Sequence, residues 1–513
     1  MTNNARTNTV QTDLAQTNMN QTEDWRAWQA ICNWPEHSSV EVVRDRLDYG
    51  KLTRYFLWDK VPRAIRYQID PEGFSFEQAL LSQNTTLIKE AVRSDLPQPF
   101  DWEVQVSQPI KRLARIAGLR LQHWRRSTVF VPRVHPQLHS TIEALRESAN
   151  REGSNIRLIA PFDPGNTLLD TFVVPFLERG DEAFAQQLYR GILQGLRAFD
   201  IELLAGDRAT LEQQLLAQSQ LIPQIKAELA AIQPQAVLVF ADNHTPSQEY
   251  VAIANRQGIP TILLQHGLDC EQHCLSEAYA SVLAVWGDAR KRRYQAESPQ
   301  FSARIEVTGN PKFGQICLPN RLHPGGERWL WATRPHAPYK CYSPSRLPRE
   351  GLDILEALLA AVEQTTSAHL TIKPHPFDYA DLYAEKIKAW GLGDRVSLSQ
   401  KPLRELFSQS DIVISEDSTA ALEAMFLGKV LIHAHFTAAP PVLPLVNYVA
   451  ALPASGAKTL QTSLKVAAQL STEDRDKMLN GQRKFIQDYA GPLDGKAQQR
   501  ITALIEQTIF SSK

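Results

Sequence analysis

Cysteine is scarce in this chain. Its five residues (Cys32, Cys270, Cys274, Cys317 and Cys341) are odd in number and scattered over 513 positions. That spacing builds no disulfide framework and fits a reducing compartment. An excess of one charge is also missing, since 55 basic side chains face 56 acidic ones. Bulk electrostatics therefore point to no nucleic acid and no anionic surface as partner. The first 22 residues hold fourteen Thr, Asn or Gln and no apolar stretch, which argues against a signal peptide. The longest apolar run, 430–452, is broken by His433, His435 and three prolines and makes a poor membrane span. Neither a Walker loop nor a GxGxxG fingerprint occurs, which speaks against P-loop ATPases and NAD enzymes. These absences leave a cytoplasmic chain of two to four domains, at roughly 150 residues each.

The residues that are present divide the chain. The polar tail, 1–24, cannot bury enough apolar area to offset its ordering entropy and is expected to be disordered. Six of the ten tryptophans fall in 25–125, an accessory region of irregular pattern. At its end, 109–126 reads as an amphipathic helix. Ile110, Leu113, Ala114, Ala117, Leu121 and Trp124 share one face, and Lys111, Arg112, Arg115, Arg120, Arg125 and Arg126 take the rest. Such a face packs on a sheet or makes peripheral contact with an anionic membrane, here the inner face.

From 126 a βα rhythm sets in. Short apolar runs at 129–131, 156–160, 236–240, 261–265, 283–287 and 305–309 alternate with helical segments. The Pro- and Gly-bearing stretch 316–328 reads as a linker. The rhythm then restarts at 329–333, 369–373, 396–399, 411–415 and 430–434. Continuous apolar strands alternating with helices predict parallel sheets covered on both faces. The expected fold class is α/β: two Rossmann-like doubly wound domains, 126–315 and 329–513.

In open parallel sheets, ligands bind beyond the carboxyl ends of the strands. The residues found there carry chemistry. After 236–240 come Asp242 and His244; after 261–264 comes Gln265-His266-Gly267. After 329–333 comes Arg334, and after 369–372 come Lys373 and His375. Strand 411–414 runs into Ser418-Thr419 at a helix start. Free N–H groups and the positive end of a helix dipole make that start a phosphate site, although simple N-capping accounts for the same residues. Lys373 and His375 could stabilise a leaving nucleotide. His266 or His244 could take a proton from a hydroxyl near neutral pH, and Asp242 could orient a histidine or act as base itself. His266, Cys270, His273 and Cys274 invite a zinc assignment, but no second pair closes a tetrahedral site. No metal is expected.

The series ILLQHG (262–267), AVWG (284–287), VTGNPKF (307–313), IKPHPFD (372–378), SDIVISEDSTAALEAMFLGK (410–429) and DGKAQQRI (494–501) resembles GT-B glycosyltransferases. The likeness runs from about Arg126 to Lys513 and is strongest to bacterial capsule and surface-polysaccharide enzymes. These include the CDP-glycerol glycerophosphotransferase and the Kdo and sialic acid transferase groups. The resemblance implies two domains facing across a cleft, with a glycan or lipid-linked acceptor on the first. A nucleotide-sugar or CDP-polyol donor would bind the second. It implies donor-phosphate contacts for His375, Ser418 and Thr419, ribose contact for Glu423, and a base role for His266. One retaining branch has a second Glu eight positions before the first; this chain departs from it, with Ser415 there. Non-hydrolysing UDP-N-acetylglucosamine 2-epimerases share VTGN, but carry Glu-Ala-Gly where this chain has Gln265-His266-Gly267-Leu268. They form the alternative, together with a non-catalytic nucleotide- or glycan-binding protein that kept the fold.

Overall fold

The computed structural model describes residues 23–75, 126–132, 138–160, 180–268, 279–297, 304–312, 318–334, 348–375, 378, 380–437 and 440–511. The tail 1–22, Trp102, Trp124 and the amphipathic segment up to 125 lie outside them. A small hairpin, β1 (Val43–Arg44) with β2 (Leu47–Asp48), opens the strand count.

Six strands form the first sheet: β3 (Ser127–Phe130), β4 (Ile156–Ile159), β5 (Ala236–Val239), β6 (Thr261–Leu264), β7 (Val282–Val285) and β8 (Arg304–Val307). Their order is β4-β3-β5-β6-β7-β8, and every neighbouring pair is parallel. Every residue of β5, β6 and β7 is buried, because helices cover both faces and leave no side for polar alternation.

The second sheet holds β9 (Arg328–Ala332), β10 (His369–Lys373), β11 (Val396–Leu398), β12 (Ile412–Ser415), β13 (Val430–Ala434) and β14 (Leu452–Ala454). The order β11-β10-β9-β12-β13-β14, again all parallel, is that of a doubly wound dinucleotide-type fold. The expected α/β class with two doubly wound sheets is thus what the chain adopts. β14 escapes a reading by pattern: it has three residues, and Pro453 within it is tolerated only because the strand lies at the sheet edge.

Two boundaries differ from the sequence reading. The described part of the accessory region has no core of its own. Trp34, Phe56, Leu57 and Ile65 share one with Phe184, Leu188, Ile192 and Leu211, from helices Glu182–Arg197 and Ala205–Ile232. Those helices fall between β4 and β5, so 23–75 is a layer of the first domain. Packing there is tight: a Cβ at Gly195 would lie 2.2 Å from the Trp34 carbonyl oxygen. At the other end, helix Ala497–Ser511 returns to the first domain, where Ile501, Leu504, Ile505 and Ile509 pack on Val129, Ala236 and Leu238. Helical periodicity shows that this helix has an apolar face but not which sheet covers it. Among the described residues no helix is long and apolar enough to cross a membrane.

Candidate functional site

The carboxyl ends of the two sheets meet. The backbone N–H of Leu268, just beyond β6, donates to Thr419 Oγ1, just beyond β12, at 3.1 Å. Lys312, beyond β8, reaches Glu423 at 3.5 Å. Leu268 and Lys312 of the first domain thus meet Thr419 and Glu423, two of the residues singled out on the second, across a single seam.

On the first domain His266 is exposed and its ring is oriented by the backbone. Nδ1 lies 2.6 Å from the Phe240 carbonyl oxygen at the end of β5. A carbonyl only accepts, so Nδ1 carries a proton, and in the neutral ring the lone pair is then on Nε2, the tautomer a base requires. The loop that bears His266 is held by Gln265, which is buried. Its amide donates to Gly267 O at 2.8 Å and accepts from Trp286 N–H at 2.6 Å, while the Trp286 indole donates to Gln265 O at 2.8 Å. No role follows for Gln265 from sequence beyond its place beside His266. A Cβ on Gly267 would make only ordinary contact, 3.5 Å from Thr419 Oγ1; what the seam uses here is the adjacent Leu268 amide.

Asp242 is placed differently from expectation. It is buried, and its carboxylate accepts the N–H groups of Tyr279 (2.8 Å) and Ala280 (2.9 Å), tying the end of β5 to the start of β7. Burial pushes its pKa up while those N–H groups pull it down, with a net rise. Among the described residues its hydrogen bonds go to backbone rather than to either histidine. His244 sits apart from the seam contacts in an aromatic corner. Its Nδ1 is 2.7 Å from Asn243 Oδ1, and its ring lies 4.8 Å from Tyr55 and 5.5 Å from Trp58. The N-terminal layer thus walls one side of the β5 loop.

On the second domain the strand order reverses between β9 and β12, the topological switch point. Arg334, buried, follows β9 there, and Ser418-Thr419 follow β12. Ser418 caps helix Thr419–Phe426, its hydroxyl accepting from Ala420 N–H at 3.2 Å. Ser418 takes two first-turn N–H groups, Ala420 through its hydroxyl and Ala421 through its carbonyl at 3.1 Å, while the helix end keeps its dipole. Beyond β10, His375 stands in a turn held by hydrogen bonds. Its N–H donates to Thr333 Oγ1 at 2.9 Å, Thr333 in turn donates to Asp378, and Tyr383 donates to the same carboxylate at 2.9 Å. Asp378 and Thr333 are positioning residues that sequence reading passed over, although both lie within or beside quoted motifs. Lys373 is half-buried, and that burial lowers its pKa.

Asp417 precedes the Ser418 cap, and the β13 histidines His433 and His435, read from sequence only as breaks in an apolar run, lie beside it. The buried Asp417 carboxylate accepts Val442 N–H (3.0 Å) and Leu443 N–H (3.1 Å), and His433 Nε2 lies 3.0 Å away. Burial alone would raise its pKa; His433 and the two amides outweigh that and hold it at about 2.

No protein-family model matches the chain, and no curated protein matches it. Several solved structures are similar to it. A Listeria monocytogenes protein named for UDP-N-acetylglucosamine 2-epimerase activity is 17% identical, covering 74% of this chain and 96% of that one, with a TM-score of 0.47. A UDP-GlcNAc 2-epimerase from Neisseria meningitidis, bound to UDP-GlcNAc, is 14% identical over 74% of this chain and 100% of that one, with a TM-score of 0.46. A glycosyltransferase from Rickettsia africae is 12% identical over 76% and 100%, with a TM-score of 0.44.

Proposed function

We propose that this protein is a GT-B-type transferase acting in surface or capsular polysaccharide synthesis. It moves a sugar or a polyol phosphate from a nucleotide-activated donor to a glycan or lipid-linked acceptor. The observation that carries the reading is the seam itself: the His266 loop of one sheet lies against the Thr419 helix start of the other, joined through Leu268. A proton acceptor and an anion-binding helix end are thereby adjacent, as group transfer from a phosphate ester requires.

In this scheme the proton on His266 Nδ1 stays with the Phe240 carbonyl, and Nε2 takes the proton of the acceptor hydroxyl as it attacks. His244 is the second candidate base; Asp242 acts through the backbone it holds. Charge develops on the departing phosphate of the nucleotide, and the helix start at Ser418-Thr419, with His375, Lys373 and Arg334, stabilises it. Glu423 accepts from ribose hydroxyls, exchanging its contact with Lys312 for the donor. The protein's own cations and dipole meet the electrostatic demand of the leaving group. Contact with a membrane-borne acceptor falls to the segment 109–126.

Thermal unfolding of the purified chain with CMP, CDP, UDP or GDP tests this reading. A nucleotide at 100 times its Kd adds about 2.7 kcal/mol. One nucleotide should raise the midpoint of the wild type and leave His375→Ala unmoved. Stabilisation by none of them, or equal stabilisation of His375→Ala, would remove the phosphate site from the mechanism. Conversion of the matching nucleotide sugar, without any acceptor, into its 2-epimer with the nucleotide still attached would replace the transferase with an epimerase.

A further inference from the structure

Away from the groups given roles above, one cluster brings together side chains that metals prefer. Ser415 of β12 pairs in parallel register with His433 of β13. Two residues further along each strand direction lie Asp417 and His435, and residues two apart share a face. Asp417, His433 and His435 each turn one ligating atom toward the others, all within 4.8 Å. His433 Nε2 lies 3.0 Å from Asp417 Oδ1, and His435 Nδ1 lies 3.8 Å from Oδ2. Two cis ligands about 2.1 Å from one ion stand roughly 3.0–3.4 Å apart, so the first spacing already suits coordination and the second needs a small ring rotation.

The surroundings orient these donors. The Asp417 carboxylate is held by Val442 N–H and Leu443 N–H. His435 Nε2 lies 3.1 Å from Thr437 Oγ1; a ring that donates there presents a lone pair at Nδ1, toward the carboxylate. Outer contacts of this kind fix ligating rings and carboxylates in metal sites. Asp417 and His433 side chains are 1% and 2% exposed, while His435 is 14% exposed, so an ion has a route in.

We propose that Asp417, His433 and His435 form a divalent transition-metal site, of the N/N/O type that suits zinc. Three protein ligands leave a position for water. The site ties β12, β13 and the 442–443 loop together just before the Ser418 cap. The seam reading neither requires it nor predicts it.

The test uses the full chain, stripped with chelator, desalted, and titrated with zinc sulfate while bound metal is counted by atomic emission. One equivalent should be retained, and His435→Ala should weaken binding by about tenfold or more. Asp417→Asn should do the same where it folds; the partly exposed His435 keeps the test valid where it does not. Cobalt(II) in place of zinc should give visible d–d bands without a thiolate charge-transfer band. Failure of the wild type to retain zinc overturns the proposal. So does zinc that survives His435→Ala but is lost in Cys270→Ser/Cys274→Ser, which would place the metal on the cysteines.

Discussion

Replacing Gln265 by leucine isolates how the His266 loop is held. The exchange keeps much of the side-chain volume but deletes the amide, leaving Gly267 O and Trp286 N–H without the partners they have at 2.8 and 2.6 Å. Gln265 is 4% exposed and Trp286 3%, so water does not readily replace what is lost. Each orphaned group costs about 1–2 kcal/mol, for a local loss of ~2–4 kcal/mol. By linkage of exchange to opening, amides in the loop and in β7 should exchange ~30- to ~1,000-fold faster. Hydrogen–deuterium exchange followed by peptide reads this directly, with β12 as an internal control. Gln265→Glu keeps an acceptor for Trp286 but sets a carboxylate oxygen against the Gly267 carbonyl in a buried position, so it should loosen the loop at least as much as leucine does. A leucine variant with wild-type exchange over 262–286 and unaltered turnover would refute the idea that the amide holds the His266 loop in place.

Two further perturbations address the rest of the fold. Burial lifts the Glu228 carboxyl to about 7, against the opposing pull of the Tyr250 hydroxyl that donates to it. The folded chain therefore keeps a proton that the unfolded chain releases near its ordinary 4.5. This group's contribution is full below that value and is lost as pH rises toward 7. Glu228→Gln should reduce the wild type's loss of stability between pH 5 and pH 7.5 by about 1–3 kcal/mol, read by urea unfolding; an unaltered difference would count against it. Ile505→Ala opens a cavity between the final helix and the first sheet and should cost ~2–5 kcal/mol. Faster exchange should then appear in β3 and β5 and not in β12, whereas the reverse pattern would assign the helix to the second domain.

Legibility varied with how local the cause was. The apolar runs at β5, β6, β12 and β13 announced buried parallel strands because four or five consecutive buried residues leave little else to specify. His266, His375, Ser418 and Thr419 were findable from their place after strands. Their holders were not: Gln265, Thr333 and Asp378 act through hydrogen bonds whose geometry depends on strands far away in sequence. Tyr55 and Trp58 reached the wall beside His244 only because their helical layer packs on helices inserted between β4 and β5.

Sequence alone determined the class of fold, two doubly wound sheets, and the strand ends where polar groups collect. Periodicity and burial are properties of short stretches, and each stretch states its own. Tertiary structure decided which ends meet: that Leu268 binds Thr419, that Asp242 serves backbone, that Asp417 gathers His433 and His435, and that the last helix returns to the first sheet. Those outcomes depend on strand order and register, which bring together residues 16 positions apart in Asp417 and His433, 151 apart in Leu268 and Thr419, and further still at the last helix, and no local pattern encodes such pairings.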